Sequence, residues 1–185
     1  MLRPTKADIE AYIIDCAAGL FARHGFAHTS IQQIADAVSY SKTGLLHHFP
    51  SKQLIYDAVI GALREHVNEV RNGVREYPVG FERDKAVVEA SVDFTFSRPG
   101  ISALSNRMAL DPDPEDQAMR EIGFVMYEAI GIDLANLDMD RLVRVTSAFS
   151  GLGVTASLAV GSKLTKEWRP LIIAAAMDAL GHGRR

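Results

Sequence analysis

Residues 39–52 read SYSKTGLLHHFPSK, and the architecture of the N-terminal part of the chain turns on them. Ser41 stands where a helix N-cap belongs, Pro50 stops the helix before it, and Ser51 can cap the next one. The spacing predicts a short helix over 42–48. Leu45 and Phe49 are four apart and share a face, so they can anchor this helix to apolar neighbours such as Ile13, Leu20 and Ile34. Lys42, Thr43 and His47 point away from that anchor. Gly44 carries no side chain, which lets backbone come close to a partner. Lys42 lies in a first helical turn, where an isolated helix prefers an acid. A cation there makes sense if an anion approaches. The free N–H groups behind Ser41 and Ser51, together with Lys52, can receive phosphate oxygens.

Upstream, residues 5–24 predict a first helix with a Thr5/Asp8 capping box and an apolar stripe of Ile9, Ile13, Cys16 and Leu20, stopped by Gly25. Residues 30–37 predict a second, with Thr29 as N-cap, Gln32 completing its box, and Ile31, Ile34, Ala35 and Val38 facing inward. Two short helices separated by about four residues form a helix-turn-helix candidate, in which the second helix enters the major groove. Downstream the helices lengthen. They are expected from Ser51 to about Tyr77, then at 82–97, 101–110, 114–131, 138–161 and 166–181, broken at YPVG, RPG, DPDP, NLDMD and GSKLT. The expected fold is therefore all-α with about nine helices. An N-terminal three-helix domain at 1–50, with its helix-turn-helix at 30–49, precedes a larger helical body at 51–185.

Composition narrows the function. The chain has 185 residues and a net charge of −3, which argues against a strongly nucleic-acid-binding chain. The distribution differs, with five Lys/Arg and four Asp/Glu in residues 1–52 and four of the six histidines there. No apolar run reaches the roughly 20 residues of a bilayer span, and the start lacks an apolar signal core. The cytoplasm is the default compartment and no membrane partner is expected. Cys16 is single and reads as a small core residue, with a reactive thiol as the other reading. His47 and His48 are adjacent and point about 100° apart on a helix, a poor metal pair. No metal or cofactor is expected. There is no G-x-S-x-G, no phosphate-binding glycine loop, no H-E-x-x-H and no Cys/His cluster, so an enzyme is not expected. Acidic pairs such as Glu115-Asp116 and Asp138/Asp140 sit at segment starts, where they suit helix N-termini.

Residues 17–54, AAGLFARHGFAHTSIQQIADAVSYSKTGLLHHFPSKQL, resemble the N-terminal domain of the TetR family of transcriptional regulators. The matching elements are Leu20-Phe21, Gly25-Phe26, Thr29-Ser30-Ile31, Ile34-Ala35, Ser41-Lys42, Leu45, His48-Phe49 and Ser51-Lys52, all in register. The resemblance implies a dimeric, ligand-responsive regulator, most simply a repressor, that binds a pseudo-palindromic double-stranded operator and is released by a small-molecule effector. It places Lys42, Thr43, Gly44 and His47 where a recognition helix meets DNA, and Thr29, His48 and Lys52 near phosphates. Three positions depart from the family pattern. Ser39 replaces the usual turn glycine, Tyr40 a small apolar residue, and Leu46 the usual tyrosine. Leu46 cannot hydrogen-bond a phosphate but can touch a thymine methyl. Each position has a plainer reading: His47, Lys42 and Lys52 as solvated groups, and His48 as a half-buried histidine satisfied by backbone. The other function considered is a helical protein–protein adaptor that keeps the fold without binding DNA.

In the body, residues 141–161 are rich in Ala, Ser and Gly, and residues 168–180 are apolar on more than one face, so both helices read as buried on several sides. The resemblance implies a four-helix dimer interface, for which Phe149, Gly153, Ala156, Trp168, Leu171, Ile172 and Ala175 are the candidates. Phe94, Phe96, Met108, Met119, Phe124, Met126, Tyr127 and Phe149 fit either core or an apolar effector pocket. Asn106, Arg107, Ser91 and Asp93 are its candidate polar fixings.

Overall fold

The computed structural model describes residues 4–111 and 116–183. Nine α-helices and no strand occur among them. In chain order they are α1 (Lys6–His24), α2 (Ile31–Ala37), α3 (Lys42–His48), α4 (Lys52–Gly73), α5 (Phe81–Ser97), α6 (Pro99–Leu110), α7 (Gln117–Ile130), α8 (Met139–Gly161) and α9 (Thr165–Met177). A π-type turn, Asp178–His182, follows α9. The all-α expectation holds. Thr5 and Asp8 form the box that starts α1, and Gly25 ends it at φ 83°. α4 stops at Gly73, short of Tyr77, as the next residues turn. α6 begins earlier than expected, because Pro99 fits the first helical position, where no N–H is needed. Asp116 and Asp138 cap α7 and α8. Glu115 and the start predicted for the seventh helix lie outside the described residues.

The chain forms two compact units. The first holds the described residues up to Leu63 together with Arg98–Asp111. This differs from a division near residue 50, because the beginning of α4 and all of α6 pack with the N-terminal helices. Ile13, Ala17, Phe21, Ile34, Leu45, Ile55 and Ile101 are fully buried there. Phe21, Phe26 and Tyr56 form a ring cluster with centroids 5.1–5.8 Å apart. α6 lies tight on α1. The Asp15 carboxylate accepts the Gly100 and Ile101 N–H groups at 3.0 Å each, satisfying donors that α6 itself leaves open. Burial pushes the Asp15 carboxyl above the usual carboxylate range, while those two bonds pull it back. Cys16 is half-buried, not wholly inside the core, and burial raises its thiol above the usual value.

The second unit contains Arg64–Ser97 and the described residues after position 115. Its core joins Val87, Val88, Val92, Ala129, Ile130, Ala148, Leu152, Ala156 and Ile172. Several polar and charged contacts join its elements. Asp84, fully buried, meets Arg141 at 2.6 Å and His182 Nε2 at 2.7 Å. Arg169 holds Asp93 through two bonds of 2.7 and 2.8 Å. Arg83 donates to the Glu128 and Ala129 carbonyls and Arg141 to that of Ile130, so the open C-terminus of α7 is closed by two guanidiniums. α8 is, by length and composition, long and apolar enough to cross a bilayer, contrary to a count of uninterrupted apolar residues. That helix has one side in the protein core with α5 and α9, and carries Asp140, Arg141 and Arg144 in its first turns.

Candidate nucleic-acid interface

The loop before α2 shows why two hydroxyls in succession were ambiguous. The N-cap is Ser30, with Gln33 completing the box; the Thr29/Gln32 assignment is corrected. Ser30 Oγ accepts from Gln33 N at 3.2 Å, and Gln33 Oε1 accepts from Ser30 N at 2.7 Å. Both pairs satisfy the same spacing, and burial decides between them. Thr29 is 1% exposed and its hydroxyl donates to the Gly25 carbonyl at 2.8 Å. Its side chain thus closes a loop and is out of reach of a phosphate.

α2 ends in a Schellman motif. Tyr40 N–H reaches back to Ala35 O at 2.9 Å and Ser39 N–H to Asp36 O at 3.2 Å. This geometry requires a left-handed residue between them, and Ser39 takes it at φ 58°. Ser41 then caps α3 by accepting from Gly44 N at 3.0 Å. Leu45 is completely buried and Phe49 half-buried, so the clamp forms as expected. Lys42, Thr43 and His47 are exposed on the same short helix, and Leu46 is half-buried beside them. Gly44 has a further reason to be glycine. A Cβ there would lie 3.2 Å from Ser41 Oγ and 3.3 Å from the Tyr40 ring, pressing on the cap.

Two candidates have other duties. Lys52 Nζ donates to the Phe26 carbonyl at 2.7 Å and sits 4.3 Å from the centre of the Phe26 ring. It fastens the loop after α1 to the start of α4, so it is not a simple phosphate-facing cation. His48 is half-buried, edge-on to Tyr40 at 5.6 Å. Among the described residues no hydrogen-bond partner reaches its Nδ1, and the Glu10 carboxylate is 3.6 Å away. The exposed side chains on this face are Lys42, Thr43 and His47, beside the half-buried Leu46 and His48. A cation, a hydroxyl and an imidazole on one exposed helix face can contact phosphates and base edges.

The effector and dimer candidates separate. Asn106, Arg107 and Met108 belong to the first unit, and Phe94, Phe124, Tyr127 and Phe149 to the second. Arg107 donates to the Ala22 carbonyl at 2.5 Å. Asp93 is committed to Arg169, and Ser91 bonds its own helix at Val87. Tyr127 and Phe149 pack against the second core, whereas Phe124 is exposed. Phe94 stacks on His66 with ring centres 3.8 Å apart. Burial pushes His66 down to about 4, so this imidazole is neutral near pH 7. Of the dimer candidates, Gly153, Ala156 and Ile172 are buried within the unit. Phe149 and Trp168 are half-buried, and Leu171 and Ala175 are exposed. Missed by the sequence reading are Val143, Val154 and Leu158, all exposed on α8. Their offsets of eleven and four put them on one helical side, a signal hidden because α8 is apolar or small on nearly every side.

The sequence model described as "Bacterial regulatory proteins, tetR family" matches residues 13–59. The HTH-type transcriptional repressor KstR2 of Rhodococcus jostii (strain RHA1) is 33% identical over 137 residues, which is 74% of this chain and 65% of that protein. The HTH-type transcriptional regulator RutR of Escherichia coli (strain K12) is 44% identical over 48 residues, 26% of this chain and 23% of that protein. The chain thus spans less than two thirds of the length of either curated relative in these matches. The crystal structure of a TetR-family transcriptional regulator from Bordetella parapertussis 12822 superposes with a TM-score of 0.56 at 25% identity, covering 92% of this chain and 95% of that one.

Proposed function

The chain belongs to the tetR family of bacterial regulatory proteins, and from that premise we propose that it is a ligand-responsive, DNA-binding transcriptional regulator acting as a repressor. The observation that carries this reading is the split face of α3, with Leu45 sealed inside and Lys42, Thr43 and His47 exposed. A helix held in this way can enter a major groove with its polar side chains leading. Related proteins are named as a repressor and as a negative regulator, which supports the sign of regulation. Nothing favours the adaptor reading, and no enzymatic activity is assigned.

The operator is a pseudo-palindrome read by a homodimer, because one short helix with a single lysine makes few phosphate contacts and two copies double them. The exposed apolar side of α8 and α9 supports that assembly. The effector is a small molecule with apolar surface, taken up by the aromatic residues of the second unit, Phe94, Tyr127 and Phe149 foremost. It releases the operator by binding the DNA-free arrangement more tightly, to the extent of that difference in affinity. The working compartment is the cytoplasm, where a bacterial operator lies. The Lys42, Thr43, Leu46 and His47 side chains approach bases, with Ser41, His48 and the backbone at Gly44 nearer the phosphates.

Fluorescence anisotropy on DNA from the chain's own promoter tests this. Affinity should fall steeply as salt rises. Lys42→Ala or Thr43→Ala should lose about 1–3 kcal/mol on the preferred sequence and lose discrimination at particular base pairs. Equal losses on preferred and random DNA would contradict the assigned base contacts, and no specific binding at any salt would contradict the function.

A further inference from the structure

The second unit carries a positively charged cleft with no part in the functions assigned so far. Its volume is about 340 Å³ and it is lined by Arg71, Asn72, Arg75, Arg83 and Glu128. Three guanidiniums face one carboxylate. The pairing is loose, since Glu128 lies 3.6 Å from Arg71 and is 65% exposed. Among the described residues Arg71 otherwise meets the Asn72 side-chain oxygen, at 3.5 Å. Arg75 has no side-chain hydrogen bond or ion pair among the described residues. Arg83 is different. It donates to the carbonyls of Ala129, Glu128 and Tyr77 at 2.7, 2.7 and 3.2 Å. Those bonds fix its plane and leave its charge without a partner carboxylate. A fixed cation costs no ordering when an anion arrives, and beside it the loosely paired Arg71 and the unpaired Arg75 add like charge that an anion would offset.

We infer that this cleft binds a small soluble phosphoryl dianion, such as the terminal phosphate of a phosphorylated metabolite, at a site separate from the apolar effector pocket. Arg71 and Arg75 close on the oxygens through charge-assisted, bidentate bonds, the geometry in which arginine exceeds lysine. The Asn72 amide adds a neutral donor, and Arg83 supplies charge from behind. The volume lies at the small end of metabolite pockets, which suits a phosphate with a short organic body. The inference does not depend on DNA binding.

Isothermal titration of the full chain with pyrophosphate at fixed ionic strength, without DNA, tests it. Saturable binding is expected. Arg71→Gln and Arg75→Gln should each weaken it about tenfold or more, and the double variant should abolish it. Glu128→Gln should tighten it severalfold by removing the competing carboxylate. Lys166→Gln, an exposed charge on α9, should leave it unchanged. Arg83 is left intact because it closes α7. Circular dichroism establishes that each variant is folded. Absence of saturable heat, retained affinity in the double variant, or equal weakening by Lys166→Gln overturns the site. Tighter binding of citrate than of pyrophosphate overturns the phosphoryl assignment.

Discussion

Ser39 and Lys163 hold the same backbone conformation, φ 58°, and neither is glycine. Both end helices in Schellman motifs. At Lys163 the paired bonds run from Leu164 N–H to Ala159 O at 2.8 Å and from Lys163 N–H to Val160 O at 3.1 Å. Gly131 does the same at the end of α7, where a Cβ would come within 2.6 Å of Val79. A side chain in this region costs roughly 1–2 kcal/mol, which glycine avoids at the expense of a looser unfolded chain. Ser39→Gly should therefore raise unfolding stability by about 1 kcal/mol in urea titration and leave the exposed groups of α3 in place. A neutral or negative change would mean that the serine hydroxyl contributes something the backbone accounting omits. His66 makes a second prediction. Its unfolded imidazole protonates near 6.5, and the folded one resists until about 4. The unfolded chain thus binds more protons between those values, and stability falls as pH drops through that window. Thermal melts should show wild type losing more stability from pH 7 to pH 5 than His66→Phe does; parallel losses would remove His66 as the cause.

At the scale of elements, α3 depends on its clamp and its neighbours. Leu45→Ala should cost about 2–5 kcal/mol, because a fully buried leucine leaves a cavity. Lys52→Met should lower the melting temperature of the DNA-free protein, since the Phe26 carbonyl loses its charged donor. An unchanged melt with weaker DNA binding would instead return Lys52 to the phosphates. α6 is held by a closer approach still. A Cβ on Gly100 would fall 1.8 Å from the Asp15 carbonyl oxygen, a backbone atom that cannot yield cheaply. Gly100→Ala should therefore destabilise by more than the 1–3 kcal/mol usual for overpacking, by urea titration. Much of this level was legible beforehand. The caps at Thr5, Ser41 and Ser51 and the stops at Gly25 and Pro50 are local signals, and they set the helix limits almost to the residue. What escaped is non-local. Thr29 against Ser30 was decided by which side chain the core encloses. Lys52 and Phe26 are 26 positions apart, and α6 joins α1 across more than 80. Gly153, Ala156 and Ile172 are enclosed within their own unit, which composition does not reveal, because it reports small residues without reporting phase.

At the scale of the whole molecule, the question is what covers the outer side of α8 and α9. Val154 is 61% exposed and Leu171 65%, with Val143 and Leu158 also open. Ser147, Ser150 and Gly151 lie among them and would let a second helix approach closely. Apolar surface of this kind is costly in water and marks an interaction site. A second copy is the economical occupant, because a two-fold interface uses the same patch twice and also supplies the second recognition helix. Each chain carries a net charge of −3, so general attraction to DNA is weak and one copy should bind poorly. Leu158→Glu with Leu171→Glu places unpaired carboxylates on that patch while leaving the protomer core untouched. Sedimentation should shift from dimer to monomer, circular dichroism should stay helical, and operator affinity should collapse together with the dimer. Ala156→Leu should act differently. It is fully enclosed between helices of one chain, so it should lower the unfolding temperature before it changes the association constant. A double-glutamate variant that sediments as wild type would place the interface on another surface, and one that is monomeric yet holds the operator at full affinity would remove the need for the second helix.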